Sequence, residues 1–224
     1  MNARPLALVA TLIVGCSSMD ATNPDPGMPG TAGPSAPANL HEKLAAGAAF
    51  DVSAHGSTVS LTARLVAEGD PLPPRALPVL GGSVALHTDA GGQLVVDTLE
   101  VAFDDVVLTG EEFPPDGLHL TGMSVALDAP AACEPFWSEA GDSVVASPRA
   151  SVVLAWAIVA PDGTLVPLAP QSFTDVPLDL AVETTWDGTL SLALTGGAAG
   201  TFWSWGGIAE LSDLTFDVEA ATAE

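Results

Sequence analysis

From about His41 to Glu219 apolar and polar residues alternate in short runs, and this period of two restricts the fold more than any other feature. Successive side chains of a strand point to opposite faces, so alternation means one dry face and one wet one. Val59, Leu61, Ala63 and Leu65 alternate with Thr58, Ser60, Thr62 and Arg64, and Phe50, Val52 and Ala54 behave alike upstream. Further strands are expected at Val84 to His87, Leu94 to Phe103, Leu118 to Leu127, Val152 to Val159 and Leu214 to Val218. The run from Val152 to Val159 is apolar throughout and precedes the turn Pro161-Asp162-Gly163, which predicts a central strand covered on both faces. One short helix is expected over Leu40 to Ala46, with Asn39 as its cap and Glu42 three residues later. Together these segments predict a single all-β domain over residues 41–224, an antiparallel β-sandwich or open barrel of about ten strands.

Two turns carry register expectations. If Gly56-Ser57 is a type II′ hairpin loop, Ala54 opposes Val59, Val52 opposes Leu61 and Phe50 opposes Ala63, so dry residues meet dry ones. Around Asp187-Gly188 a two-residue loop would mix the faces. A three-residue loop, Asp187-Gly188-Thr189, sets Trp186 against Leu190, Thr184 against Leu192 and Val182 against Leu194, with Gly188 left-handed.

The chain has 28 acidic and 5 basic side chains, a formal charge of −23, and 48% apolar residues. The apolar content excludes a disordered acidic tail. The charge excludes nucleic acid as a partner, since nothing offsets repulsion from the phosphates. An outer-membrane barrel is not expected either, because such barrels carry aromatic girdles and this chain has no Tyr and 5% aromatics.

The N-terminus has its own pattern. Arg4 precedes the apolar run from Leu6 to Gly15, which is too short to span a bilayer and suits the h-region of a signal peptide. The tetrad Ile13-Val14-Gly15-Cys16 resembles the lipobox of bacterial lipoproteins. That resemblance implies removal of residues 1–15 and acylation of Cys16, palmitate included, as the mature N-terminus. Each buried acyl CH₂ contributes about 0.8 kcal/mol, so such a cysteine holds a protein to a membrane without any spanning helix. In that family an Asp after the cysteine favours the inner membrane. Here Ser17 and Ser18 follow, which implies the outer membrane. Residues 16–40 are then the acylated Cys and a linker rich in Pro, Gly and Ser, which should stay extended and disordered.

Among candidate chemical groups, Asp104, Asp105, Glu111, Glu112 and Asp116 cluster around a Pro-containing loop and offer hard oxygen ligands suited to calcium. The alternative is an acidic loop that only solvates the domain. Trp203 and Trp205 lie on one face of an extended segment about 7 Å apart, a spacing that suits stacking on successive sugar units. If buried, they are core instead. Gly81-Gly82-Ser83 grazes the nucleophile-elbow pattern but leads into a strand, and His87 lies four strand residues from Ser83, too far for a hydrogen bond. His41, His55, His87 and His119 are scattered without metal-ligand spacing. Cys133 is the one thiol left once Cys16 is modified, either buried and inert or paired between molecules.

No constellation names a reaction. The expected function is a non-enzymatic, lipid-anchored lipoprotein of the cell envelope whose β domain binds an envelope glycan or protein, or serves structurally. The alternative is an open barrel carrying a lipid or other apolar ligand, which requires an internal cavity of several hundred Å³.

Overall fold

The computed structural model of the protein describes residues 39–65, 73–111, 116–205 and 209–222. The signal segment, Cys16, the linker up to residue 38 and Glu112 lie outside the described residues.

The expected helix forms as α1 (Leu40–Ala46), with the Asn39 side chain accepting from the Glu42 amide at 2.9 Å. Its Leu40 and Leu44 lie on one face and are buried. Gly47, at a φ of 87°, ends the helix and admits β1 (Ala48–Val52), then β2 (Thr58–Leu65). The next segments are β3 (Arg75–Leu77), β4 (Val79–Thr88), β5 (Leu94–Phe103), β6 (Val106–Leu108) and β7 (Leu118–Leu127). After them come β8 (Ala131–Cys133), β9 (Phe136–Trp137), β10 (Ser143–Ala146), β11 (Arg149–Val159) and β12 (Leu165–Pro167). The last three are long: β13 (Gln171–Thr184), β14 (Leu190–Trp205) and β15 (Ala209–Thr222).

Register shows that the short segments are pieces of longer strands. β3 and β4 continue one another alongside β2 and β1, β5 and β6 alongside β7, and β10 and β11 alongside β13. β7, β8 and β9 form one line, as do β12 and β13. The 15 segments therefore make eight staves, each antiparallel to its neighbours in sequence. The last stave, β15, pairs with both β1 and β2, closing an up-and-down barrel. The architecture is all-β and antiparallel as expected, and closure leaves the barrel staves without free edges.

Eight strands enclose a space just wide enough for side chains or one small ligand. Here side chains fill it. Phe50, Leu61, Leu86, Leu120, Leu154 and Leu194 are buried in one continuous core, and Leu40 and Leu44 of α1 join it. A void of about 10 Å³ remains between Val59, Phe103, Val125 and Phe216. The outer wall is polar, with Asp51, Glu100, Asp179, Glu183, Asp217 and Glu219 all exposed. Dry inside and charged outside is the reverse of a membrane-spanning barrel. No helix among the described residues is long and apolar enough to cross a membrane.

Three expectations need correction. β1 and β2 do not form a hairpin, because both run antiparallel to β15, with Val52 opposite Ala220 and Thr58 opposite Asp217. Residues 53–57 bulge around Glu219 instead. The Ser53 amide donates to the Glu219 carbonyl at 2.8 Å, and the Ser57 hydroxyl accepts from the Glu219 amide at 3.0 Å. Gly56, at a φ of 98°, serves this bulge and reverses nothing.

The β13–β14 hairpin does close through three residues, but they are Trp186-Asp187-Gly188. Thr184 opposes Leu190 and Val182 opposes Leu192, two residues from the expected register with the faces preserved. Polar bonds decide this shift. The Thr185 amide donates to the Thr189 carbonyl at 2.9 Å, and the Asp187 carboxylate accepts from the hydroxyls of Thr185 and Thr189. Those bonds hold the Asp187 carboxyl at about 2, well below its ordinary value. Finally, β11 is central in its pairing but has one dry face. Val152, Leu154 and Trp156 are buried, while Val153, Ala155 and Val159 sit half-exposed on the outer wall.

Gly188 has a φ of 84°, a backbone region that costs a residue with a Cβ about 1–2 kcal/mol. Gly188→Val should lower the denaturant midpoint by at least that much stability. An unchanged midpoint would contradict the turn described here.

Candidate functional site

Of the acidic residues singled out for calcium, Asp104, Asp105, Glu111 and Asp116 are described. Asp104 and Asp105 join β5 to β6, and each is committed locally. The Asp104 carboxylate accepts from the Asp105 amide at 2.8 Å. The Asp105 carboxylate accepts from the Thr121 hydroxyl at 2.6 Å and meets His119 Nε2 at 3.0 Å. Among the described residues no three metal-ligating side chains group together, and Glu111 and Asp116 flank residues 112–115. Glu112 lies outside the described residues.

Two histidine–carboxylate pairs do stand on the wall, and sequence spacing concealed both. His119 and Thr121 lie two apart on β7 and share the outward face with Asp105. The hydrogen bond from Thr121, then that from His119, hold the Asp105 carboxyl below its ordinary value. The second pair, His87 Nδ1 and Asp97 Oδ2 at 2.7 Å, joins β4 to β5 where the register shifts between Ala85 and Leu86. Among the described residues the bonds of these pairs run from histidine to carboxylate, and the Thr121 hydroxyl bonds Asp105. Ser83 faces Asp51 and Glu100 across the sheet. Gly82 beside it has a packing reason to be glycine: a Cβ there would lie 1.9 Å from the Glu100 carbonyl oxygen.

Of the two tryptophans, Trp203 follows the core alternative. Trp203 packs partly buried against the core, edge-on to Trp156 with ring centroids 5.5 Å apart. Phe202 is buried and meets Trp156 and Phe173 edge-on at 5.9 and 5.8 Å. Register shifts in β14 on either side of Thr201 turn adjacent residues toward the same aromatic cluster, which simple alternation does not anticipate. The Trp205 backbone pairs with Ala209, and its side chain lies outside what is described.

Cys133 is half-buried, with its thiol 3.7 Å from the Leu94 carbonyl oxygen. Burial pushes that thiol above its ordinary value, which opposes thiolate chemistry.

What the barrel offers a partner is therefore its exterior. Along β14 the outward side chains Ser191, Ala193 and Thr195 are small, and they floor shallow depressions of about 470 and 360 Å³. Glu183 and Glu219 border the first, Asp179 the second. At the end closed by α1, His41 stacks on Trp137 at 3.5 Å, and Lys43 Nζ donates to the Gly188 carbonyl. Beside that contact stands Trp186, which is 98% exposed. Sequence reading placed Trp186 inside the sheet opposite Leu190, and only the Thr185–Thr189 pairing reveals it as a turn residue.

Comparison with models of known protein families, with curated protein sequences and with solved structures finds no match. The fold itself defines the class: an eight-stranded, filled, up-and-down β-barrel.

Thr121→Val removes the largest bond that lowers the Asp105 carboxyl. Its titration midpoint, read by carboxyl carbon NMR, should rise toward the ordinary value of about 3.9. A depressed carboxyl stabilises the fold above its unfolded pKa, and that contribution fades as pH falls through the folded value. The variant should therefore lose less stability than wild type between pH 4 and 2.

Proposed function

We propose that this chain is an envelope lipoprotein. It is anchored through acylated Cys16 to the outer membrane, and it presents a non-catalytic barrel whose exterior contacts an envelope glycan or protein partner. The observation that carries the non-carrier part is the packing of the interior. The buried side chains form one continuous core that takes in Leu40 and Leu44 of α1 and surrounds a void of about 10 Å³, which speaks against a lipid tail lying among them. The anchoring part rests on the resemblance of Ile13-Val14-Gly15-Cys16 to a lipobox.

Mass spectrometry of the native protein should find an N-terminal Cys16 carrying acyl chains, and the protein should enter the detergent phase on partitioning. Cys16→Ala should abolish both, leaving an uncleaved or aqueous-phase chain. An unmodified Cys16 in native material overturns the anchor. The interior is tested separately. The folded chain should give no enhancement with a fluorescent fatty acid, whereas saturable one-to-one binding would restore the carrier reading.

A further inference from the structure

We propose that the end of the barrel closed by α1 docks on a bilayer of zwitterionic phospholipid, with the Trp186 indole entering the headgroup layer. The membrane as occupant rests on the lipoprotein reading above.

Trp186 is held up rigidly in a position that wastes its apolar surface in water. Its turn is tied by Thr185–Thr189 backbone and hydroxyl bonds, by the Asp187 carboxylate, and by Lys43 reaching from α1 to the Gly188 carbonyl. Yet the indole itself is 98% exposed. Two more large apolar side chains stand exposed on the staves beside it. Phe136 on β9 and Val145 on β10 oppose each other across that pairing, at 72% and 53% exposure. β10 in turn pairs with β13, Ser143 opposite Glu183, just before the Trp186 turn. Three consecutive staves thus carry an exposed apolar residue near one end, Phe136 and Val145 on the outer wall and Trp186 at the turn.

That end is also where the chain enters the domain. Asn39 and α1 lie there, with His41 on Trp137 and Lys43 on the Trp186 turn, and residues 1–38 precede them. A lipid at Cys16 would therefore lead into the barrel beside the exposed aromatics. Indole rings favour the membrane interface, where the apolar body and the N–H both find partners. One ring binds a free protein to lipid only weakly. On a tethered domain the same contact becomes intramolecular, so weak docking suffices. The charge at this end selects the lipid. Asp142, Glu183 and Asp187 flank the apolar residues, which disfavours anionic headgroups and suits those bearing an ammonium group.

The test uses the full chain with Cys133→Ala, leaving Cys16 as its one thiol. Coupling that thiol to a maleimide lipid in phosphatidylcholine–phosphatidylethanolamine vesicles supplies the tether whether or not cells acylate Cys16. A failure of docking is thereby distinguished from a failure of the anchor. With acyl chains brominated near the headgroup, tryptophan emission of the coupled protein should fall relative to unbrominated vesicles. Trp186→Ser, a change at an exposed position that should leave the unfolding midpoint in place, should lose most of that quenching. Replacing a third of the lipid with phosphatidylglycerol should reduce it at least twofold. Equal quenching in both proteins, or none in the tethered parent when flotation confirms coupling, overturns the proposal. So does a Trp186 emission shift that tracks protein concentration without vesicles, which would make a second copy the occupant.

Discussion

The pairing of the last strand with the first holds the rest of the molecule in place. Every other stave lies beside its neighbour in sequence, so a short turn suffices to bring the two together. Only β15, reaching back to β1 and β2, joins residues from opposite ends of the domain, with Phe50 opposite Thr222 and Val59 opposite Phe216. Joining distant residues costs loop-closure entropy that local turns largely avoid. What offsets it is the core, which exists only in the closed form. Without that pairing Phe50, Leu61, Leu211 and Val218 would face water together.

Closure also explains where function can reside. A barrel of this size has an interior for one purpose at a time, and here packing takes all of it. Polar chemistry is displaced to the wall, where carboxylates outnumber cations and several are held by nearby hydroxyls and amides. Ser147 bonds Asp179, Thr121 bonds Asp105, and Thr185 and Thr189 bond Asp187. Such local bonding settles individual acids in a chain with few cations, without gathering them into a site.

Much of the architecture was legible because it follows from local rules. The Asn39 cap, the dry and wet faces of β2, β5 and β7, and the left-handed Gly188 all follow from side-chain type and spacing within a few residues. The misreadings share one physical cause: a distant strand or a side-chain bond overrode a local signal. Gly56-Ser57 has the chemistry of a hairpin, but hydrogen bonds to Glu219 turn it into a bulge. Asp187-Gly188 does form a turn, and the hydroxyls of Thr185 and Thr189 choose its register. Phe202 and Trp203, adjacent in sequence, meet the same aromatic cluster because β14 carries two irregularities. The histidine–carboxylate pairs were invisible because their members are brought together by strand pairing: His119 stands on β7 and Asp105 in the β5–β6 connection, His87 on β4 and Asp97 on β5.

β15 is the last of the eight staves in sequence, so it is synthesised after the seven that it completes. Until it arrives, the stave formed by β1 and β2 has an unsatisfied edge, and the nascent chain has no way to bury its aliphatic side chains completely. Truncation within β15 would strand the domain in that immature condition, however intact the other staves.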